Sequence, residues 1–268
     1  MKLGVQLYSV RDDMAQDFEG TLKKVKEMGY EGVEFAGLYG KSAEEVKALC
    51  AKYELEPVSA HVSLGEMRDD PFVIETYAAI GCKFIAIPWL NEEDRPGHEN
   101  GDKLIGDAAI LGAVAKKNGM KLCYHNHDFE FEKIDGKYVL DLLYEAVPAD
   151  LLLAELDTCW VNVGGEDPVK YIRKYAGRVD IIHLKDFAGK KSENMYALIG
   201  VNDGKKEATV GDFEFRPVGQ GLQDMPAILD AAKESGTEWV IVEIDEPSKG
   251  KTAMQCIKES ADYLKTVM

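Results

Sequence analysis

Apolar positions along the chain alternate between two spacings. Phe18, Leu22, Val25 and Met28, like Leu104, Ala108, Leu111 and Ala115, repeat every three to four residues, the period of a helix with one buried face. Segments of this kind end in a glycine, and a short apolar run follows: EMGYEGVEF, AAIGCKFIAIP, KKNGMKLCYH, KYAGRVDIIHL and KESGTEWVIVE. Gly29, Gly81, Gly119, Gly177 and Gly236 are therefore expected to close helices in the left-handed conformation before each return strand. Helix starts are marked by the capping box over Ser42 to Glu45 and by Asp167 followed by Pro168, an N-cap with proline at the first helical position. The pattern predicts strands near 3–9, 32–35, 57–63, 83–88, 121–127, 152–157, 179–186 and 239–245, with helices between them. Eight strand–helix units in 268 residues match a (β/α)8 barrel, with a doubly wound open sheet as the competitor.

Side-chain parity separates the two, because alternate residues of a strand share a face. One parity collects Val33, Phe35, Val58, Ala60, Val62, Leu122, Ala154, Leu156, Ile182, Leu184, Val240, Val242 and Ile244, an apolar face nearly throughout. The other collects Gln6, Tyr8, Glu34, Ser59, His61, His125, His127, Glu155, Asp157, His183, Lys185, Glu243 and Asp245, with ionisable groups at the carboxyl ends. An open sheet would bury many of those charges against helices, at several kcal/mol each if unpaired. A barrel turns them toward one mouth. The expected fold is a single (β/α)8 TIM barrel over residues 1–268, with a loop or hairpin insertion at about 187–216 over the mouth, where MYALIGV and ATVGDFEF flank NDGKK.

Composition narrows the partners. A formal charge of −16 without a concentrated basic patch disfavours nucleic acid. No run approaches the roughly 18 apolar residues of a membrane span, and MKLGVQLYSVRDD enters a strand-like run without a signal-peptide pattern. The five cysteines are scattered and read as reduced thiols. The chain is expected to be cytoplasmic and to act on a small-molecule sugar or polyol, with a homo-oligomer left open.

The inward set mixes imidazoles with carboxylates from different strands: His125, Asp157, His183 and Glu243, with Glu34, His61, His127 and Glu155 around them. Singly, an inward histidine or carboxylate is usually structural. Four strand ends offering ligand-type groups at matching depth point instead to one divalent ion, with Mn2+ foremost and Co2+, Zn2+ or Mg2+ as alternatives. Such an ion, with room for two substrate oxygens, suits the polarisation of a keto-hydroxyl pair. Only Lys185 and Arg216 look available to balance the acids, and both also fit substrate binding. Tyr8, Trp89 and Trp160 offer apolar platforms, while Gln6, Glu34, His61 and Lys185 offer hydroxyl partners. VGQG near Arg216 is too short a glycine pair to imply a phosphate site.

HNHDFEF, ELDTCW, IIHLKD, VGQGLQD and VIVEID together resemble the xylose isomerase-like sugar phosphate isomerase/epimerase superfamily across essentially the whole chain, with similarity to inosose dehydratases and ketose 3-epimerases. The resemblance implies a barrel with one metal bound from strands five to eight, and it places Asp157, His183 and Glu243 as ligands. The epimerases carry a glutamate at the strand-five position, where it is also an acid/base; this chain has His125. The fourth ligand is therefore open among His125, His127 and Glu155, and the acid/base pair becomes His125 with Glu243. The implied chemistry is proton abstraction beside a carbonyl that the metal polarises, leading to isomerisation or epimerisation, with a dehydratase or lyase outcome as the alternative. Two other classes compete: an endonuclease IV-type repair enzyme, disfavoured by five histidines and the acidic charge, and a non-catalytic sugar-binding barrel.

Overall fold

The computed structural model describes all residues except 71 and 192–211. Eight parallel strands form the barrel: β1 Lys2–Gln6, β2 Gly32–Phe35, β3 Glu56–Ala60, β4 Phe84–Ile87, β5 Lys121–His125, β6 Leu153–Asp157, β7 Ile181–Leu184 and β8 Trp239–Val242. Their spatial order is β3-β2-β1-β8-β7-β6-β5-β4. A parallel bridge from His61 to Ala86, with Val62 donating to the Ala86 carbonyl at 3.0 Å, ties the two ends together. A principal helix follows each strand, in order Phe18–Glu27, Ala43–Lys52, Phe72–Ile80, Gly101–Lys117, Val139–Ala146, Pro168–Lys174, Met225–Glu234 and Ala253–Val267. The five glycines expected to close helices all have positive φ, from 74° to 114°. Ser42 makes the expected capping box, and Asp167 caps the helix that Pro168 opens.

Two apolar layers result. The larger lies between strands and helices; the smaller, made of Val58, Phe84, Ala86, Cys123, Leu153, Ile181, Trp239 and Ile241, fills the lower barrel interior. Gly4 and Gly32 make room there: a Cβ on Gly32 would lie 2.4 Å from Val58 Cγ2, and one on Gly4 would lie 2.6 Å from Ile241 Cδ1. Val58 departs from its expected place on the helix-facing side. The β2–β3 register slips between Val33 and Glu34, so that Val33 pairs with Pro57 but Glu34 with Ser59. This bulge turns Val58 inward while leaving Ala60 in the outer layer.

Several strands are also shorter than their alternation suggested. The chain leaves β1 after Gln6, whose side-chain oxygen accepts from the Tyr8 amide at 2.9 Å and starts a 3-10 turn over Leu7–Val10. It leaves β5 after His125, so His127 sits on the following loop. Most of the expected insertion lies outside the described residues, but its base is visible: Asp186–Ala188 pairs antiparallel with Glu214–Arg216. All five cysteines are buried and free. Among the described residues no helix is long and apolar enough to cross a membrane.

Candidate active site

Strands β5 to β8 deliver four donors to one point at the barrel mouth. His125 and Asp157 are the last residues of β5 and β6, His183 lies in β7, and Glu243 follows β8. Their ligand-type atoms all fall within 4.8 Å of one another. His125 Nε2 stands 3.5 Å from Asp157 Oδ2 and 3.6 Å from Glu243 Oε2, and His183 Nδ1 stands 2.9 Å from Glu243 Oε2. Adjacent ligands of an octahedral ion with bonds of about 2.1 Å lie about 3 Å apart, so small side-chain shifts would close this group on one divalent cation. Among the described residues neither ring nitrogen of His125, both buried, has a hydrogen-bond partner, which fits a donor with coordination capacity to spare.

Local structure fixes each donor. Asp157 caps the helix Thr158–Val163 through Oδ1, which accepts from the Trp160 amide at 2.9 Å, and this leaves Oδ2 facing the site. Its own amide donates to Asn126 Oδ1 at 3.1 Å. Asn126, between the two histidines, therefore ties the β5 loop to the end of β6. Glu130 accepts from the His127 amide and the Tyr124 hydroxyl at 2.8 and 2.6 Å, holding the His127 backbone in place. Strand periodicity carries no signal for such loop-to-loop bonds, so they were not legible in the residues.

A second group of four, Glu34, His61, Glu155 and His183, shares the His183 ring. His183 Nε2 is 2.8 Å from Glu34 Oε1, which also accepts from Gln6 Nε2 at 2.6 Å. His61 Nε2 lies 2.8 Å from Glu155 Oε2. Ionised carboxylates only accept, so a protonated His183 would donate to Glu34 and Glu243 at once, and holding an ion at Nδ1 would require the ring to give up that charge. Burial opposes that charge, but Glu34, Glu155 and Glu243 hold the His183 pKa well above the ordinary range. Gln6, Glu34 and Glu155 are fully buried and do not line the mouth; they brace His183 and His61 instead of reaching toward a substrate.

Lys185 is buried with its ammonium 3.0 Å from Asp157 Oδ2, 2.8 Å from Glu243 Oε2 and 2.8 Å from Asp245 Oδ2. Burial works against its charge, yet Asp157, Asp245 and Glu243 together keep it protonated, well above the usual lysine range. Burial likewise opposes ionisation of Glu243, but Lys185 and His183 push its pKa well below the carboxylate norm. Arg216, the other expected cation, lies in the short ladder and pairs with Glu214 at 3.0 Å, away from the cavity lining.

A cavity of about 400 Å3 opens above these groups, lined by Tyr8, Ala36, Gly37, His61, Glu66, Pro88, Trp89, His125, His127, Glu243 and Asp245. Trp89 meets the His127 ring edge-on at 4.8 Å, and Trp160 stands fully buried behind that ring at 5.1 Å. Trp160 is therefore a wall behind the site and not part of its lining. Ala36, Gly37, Glu66 and Pro88 escape the strand pattern because they lie past the strand ends. Glu66 has a legible position in the first turn of the helix capped by Ser63, but that signal speaks of helix initiation only. In VGQG, the Gly219 and Gly221 amides donate to Asp186 Oδ2 at 3.0 and 2.9 Å. This carboxylate takes the donors that a phosphate would need.

Fold and site define a (β/α)8 barrel with an N/O donor group at the carboxyl ends of its strands, and residues 22–267 match the model for the xylose isomerase-like TIM barrel. The chain belongs to that family, and it is an enzyme. An inosose dehydratase from Clostridium beijerinckii is 25% identical over 298 aligned positions, covering 99% of this chain and 96% of that protein. A sugar phosphate isomerase/epimerase structure from Parabacteroides distasonis superposes with a TM-score of 0.79 at 22% identity, covering 98% of this chain and 93% of that one. An L-ribulose 3-epimerase structure gives 0.70 at 14% identity, covering 99% and 93%.

Proposed function

We propose that the chain is a divalent-metal-dependent sugar isomerase/epimerase that removes a proton from the carbon beside the carbonyl of an uncharged keto-sugar. The observation that carries this is the convergence of His125, Asp157, His183 and Glu243 within 4.8 Å at the floor of an open cavity. An ion held by those four, with Mn2+ foremost for a mixed N/O set, would supply Lewis-acid polarisation of a carbonyl oxygen. Glu243, kept ionised by Lys185 and His183, takes the proton. His125 presents Nε2 to the donor group, where a neutral ring would hold the ion and a ring left off the ion would return the proton to the substrate. Tyr8, Pro88 and Trp89 offer an apolar wall for a ring face, and His127 and Glu66, also in the lining, offer polar groups for hydroxyls. Among the described residues the lining contains no lysine or arginine and three acids, Glu66, Glu243 and Asp245, which suits a neutral polyol better than a phosphate ester.

A dehydratase is the second reading, favoured by the inosose dehydratase that aligns with 99% of this chain. It uses the same proton abstraction, after which the proton taken by Glu243 goes to a departing β-hydroxyl and water leaves. Incubation in D2O with Mn2+ and a panel of ketoses, keto-glycosides and inososes separates the outcomes. The expected result is metal-dependent deuterium at a carbon next to the carbonyl. A stereoisomer supports epimerisation, and a lost water supports dehydration. Sugar binding without exchange in any bound compound would leave a binding barrel in place of an enzyme of this kind.

Orientation of His183 through Glu34 gives a second expectation. Carboxylates that accept from the outer nitrogen of a metal-ligating histidine typically contribute about 10–100-fold to metal affinity. Glu34→Gln should weaken Mn2+ binding by about that factor in titration calorimetry, and an unchanged affinity would remove Glu34 from the supporting shell.

A further inference from the structure

Lys185 is buried outside the cavity lining, and three carboxylates set its place in the site. Its ammonium touches the same two oxygens, Asp157 Oδ2 and Glu243 Oε2, that face His125 Nε2 across the donor group. Ammonium and divalent ion therefore draw on the same negative charge from neighbouring positions, and like charges at such separations repel strongly in a buried setting. A third carboxylate, Asp245 Oδ2, holds the ammonium at 2.8 Å and lies outside the four-donor group. The ammonium also stands over Trp160 and Phe215, with Nζ 5.5 and 5.7 Å from their ring centres. The Lys185 carbonyl accepts from Gln223 Nε2 at 2.8 Å, which fixes the backbone. The ammonium is thus buried among three carboxylates, all within 3.0 Å.

We propose that Lys185 is a built-in competitor for the metal: its ammonium holds Asp157 and Glu243 in place for the ion and retreats to Asp245 when the ion takes those two oxygens. The inference rests on the metal reading above. Among the groups that the ammonium touches, Asp157, Glu243 and Asp245 with one ammonium carry two negative charges, while His183 and Glu34 lie beyond Glu243. Without the lysine, three charges would face the ion, giving tighter binding and less electrophilic power at the bound carbonyl. Lys185 is on this account a positioning residue that sets metal affinity, and Asp245 is its retreat.

Titration calorimetry with Mn2+ on the full chain tests it, using Lys185→Met, Asp245→Asn and the double variant. Lys185→Met should bind Mn2+ about tenfold or more tighter, since a full opposing charge is removed from beside the ion. Asp245→Asn should bind more weakly because the displaced ammonium has nowhere to go. A simple Coulomb effect of Asp245 on the ion would persist in the double variant; a retreat for Lys185 predicts that most of the Asp245→Asn loss disappears there. Thermal melts cover the case in which metal-free Lys185→Met is too unstable to titrate: Mn2+ should then raise its Tm by more than it raises that of the unaltered chain. Equal or weaker affinity in a folded Lys185→Met, or an Asp245→Asn loss of the same size in both backgrounds, overturns the proposal. No Mn2+ binding by the unaltered chain overturns the metal reading itself.

Discussion

On the proposed metal reading, replacing Asp157 with asparagine should abolish divalent-ion binding while leaving the chain folded. Asp157 uses its two oxygens for different tasks: Oδ1 caps the helix Thr158–Val163, and Oδ2 faces His125 and Lys185. Asparagine keeps a side-chain oxygen for the Trp160 amide but removes the negative charge from the donor group. Metal affinity should fall by more than the roughly 100-fold upper end typical of supporting-shell changes, because the lost group touches the ion itself. Asp157→Ala should lose the ion as well; both variants break the buried pair with Lys185, at about 3–5 kcal/mol, and only the alanine also removes the cap, at about 0.5–2 kcal/mol. Metal content by elemental analysis and Tm by calorimetry distinguish the two effects. Full metal retention in Asp157→Asn would remove Asp157 from the donor group.

The difference between what can and cannot be read from the residues has a physical basis. Left-handed helix ends need glycine, so Gly29, Gly81, Gly119, Gly177 and Gly236 mark the helix-to-strand turns in the amino-acid order itself. Strand parity puts His125, Asp157, His183 and Glu243 on one inward face, and the structure brings all four together. Parity fails where the register slips, as at Val58, because a bulge depends on the partner strand. It also overruns strand ends, since alternation continues in residues that have already left the sheet, as at Leu7 and Tyr8. Contacts between loops are the least legible of all. Nothing in the order of residues reveals that Asn126 binds the Asp157 amide or that Glu66 and Pro88 share one cavity wall. Separating what reaches the substrate from what supports the ligands likewise requires depth: Gln6, Glu34 and Glu155 share the parity of the site but lie beneath it.

His125 and His127 should respond differently to removal, although they stand two residues apart and both line the cavity. His125 ends β5 with Nε2 toward Asp157 and Glu243, and those carboxylates, against the pull of burial, raise its pKa above the ordinary imidazole value. His127 sits beyond the strand between Trp89 and Trp160, where burial and then the charge of His125 push its pKa well below that value. The neighbouring carboxylates favour a proton on the first ring, which it must give up before Nε2 can hold the ion, while the surroundings of the second favour its neutral form, which suits a substrate hydroxyl. His125→Ala should therefore abolish turnover and reduce metal content, with His125→Gln as the control that keeps most of the volume. His127→Ala should leave the metal in place and chiefly raise KM, the signature of lost binding that is equal in ground and transition states. Steady-state kinetics on any substrate that exchanges deuterium, together with metal content of the same preparations, checks both halves. The opposite ranking would move the acid/base role to His127, and unaltered kinetics in both variants would make the histidine pair a structural element of the β5 loop.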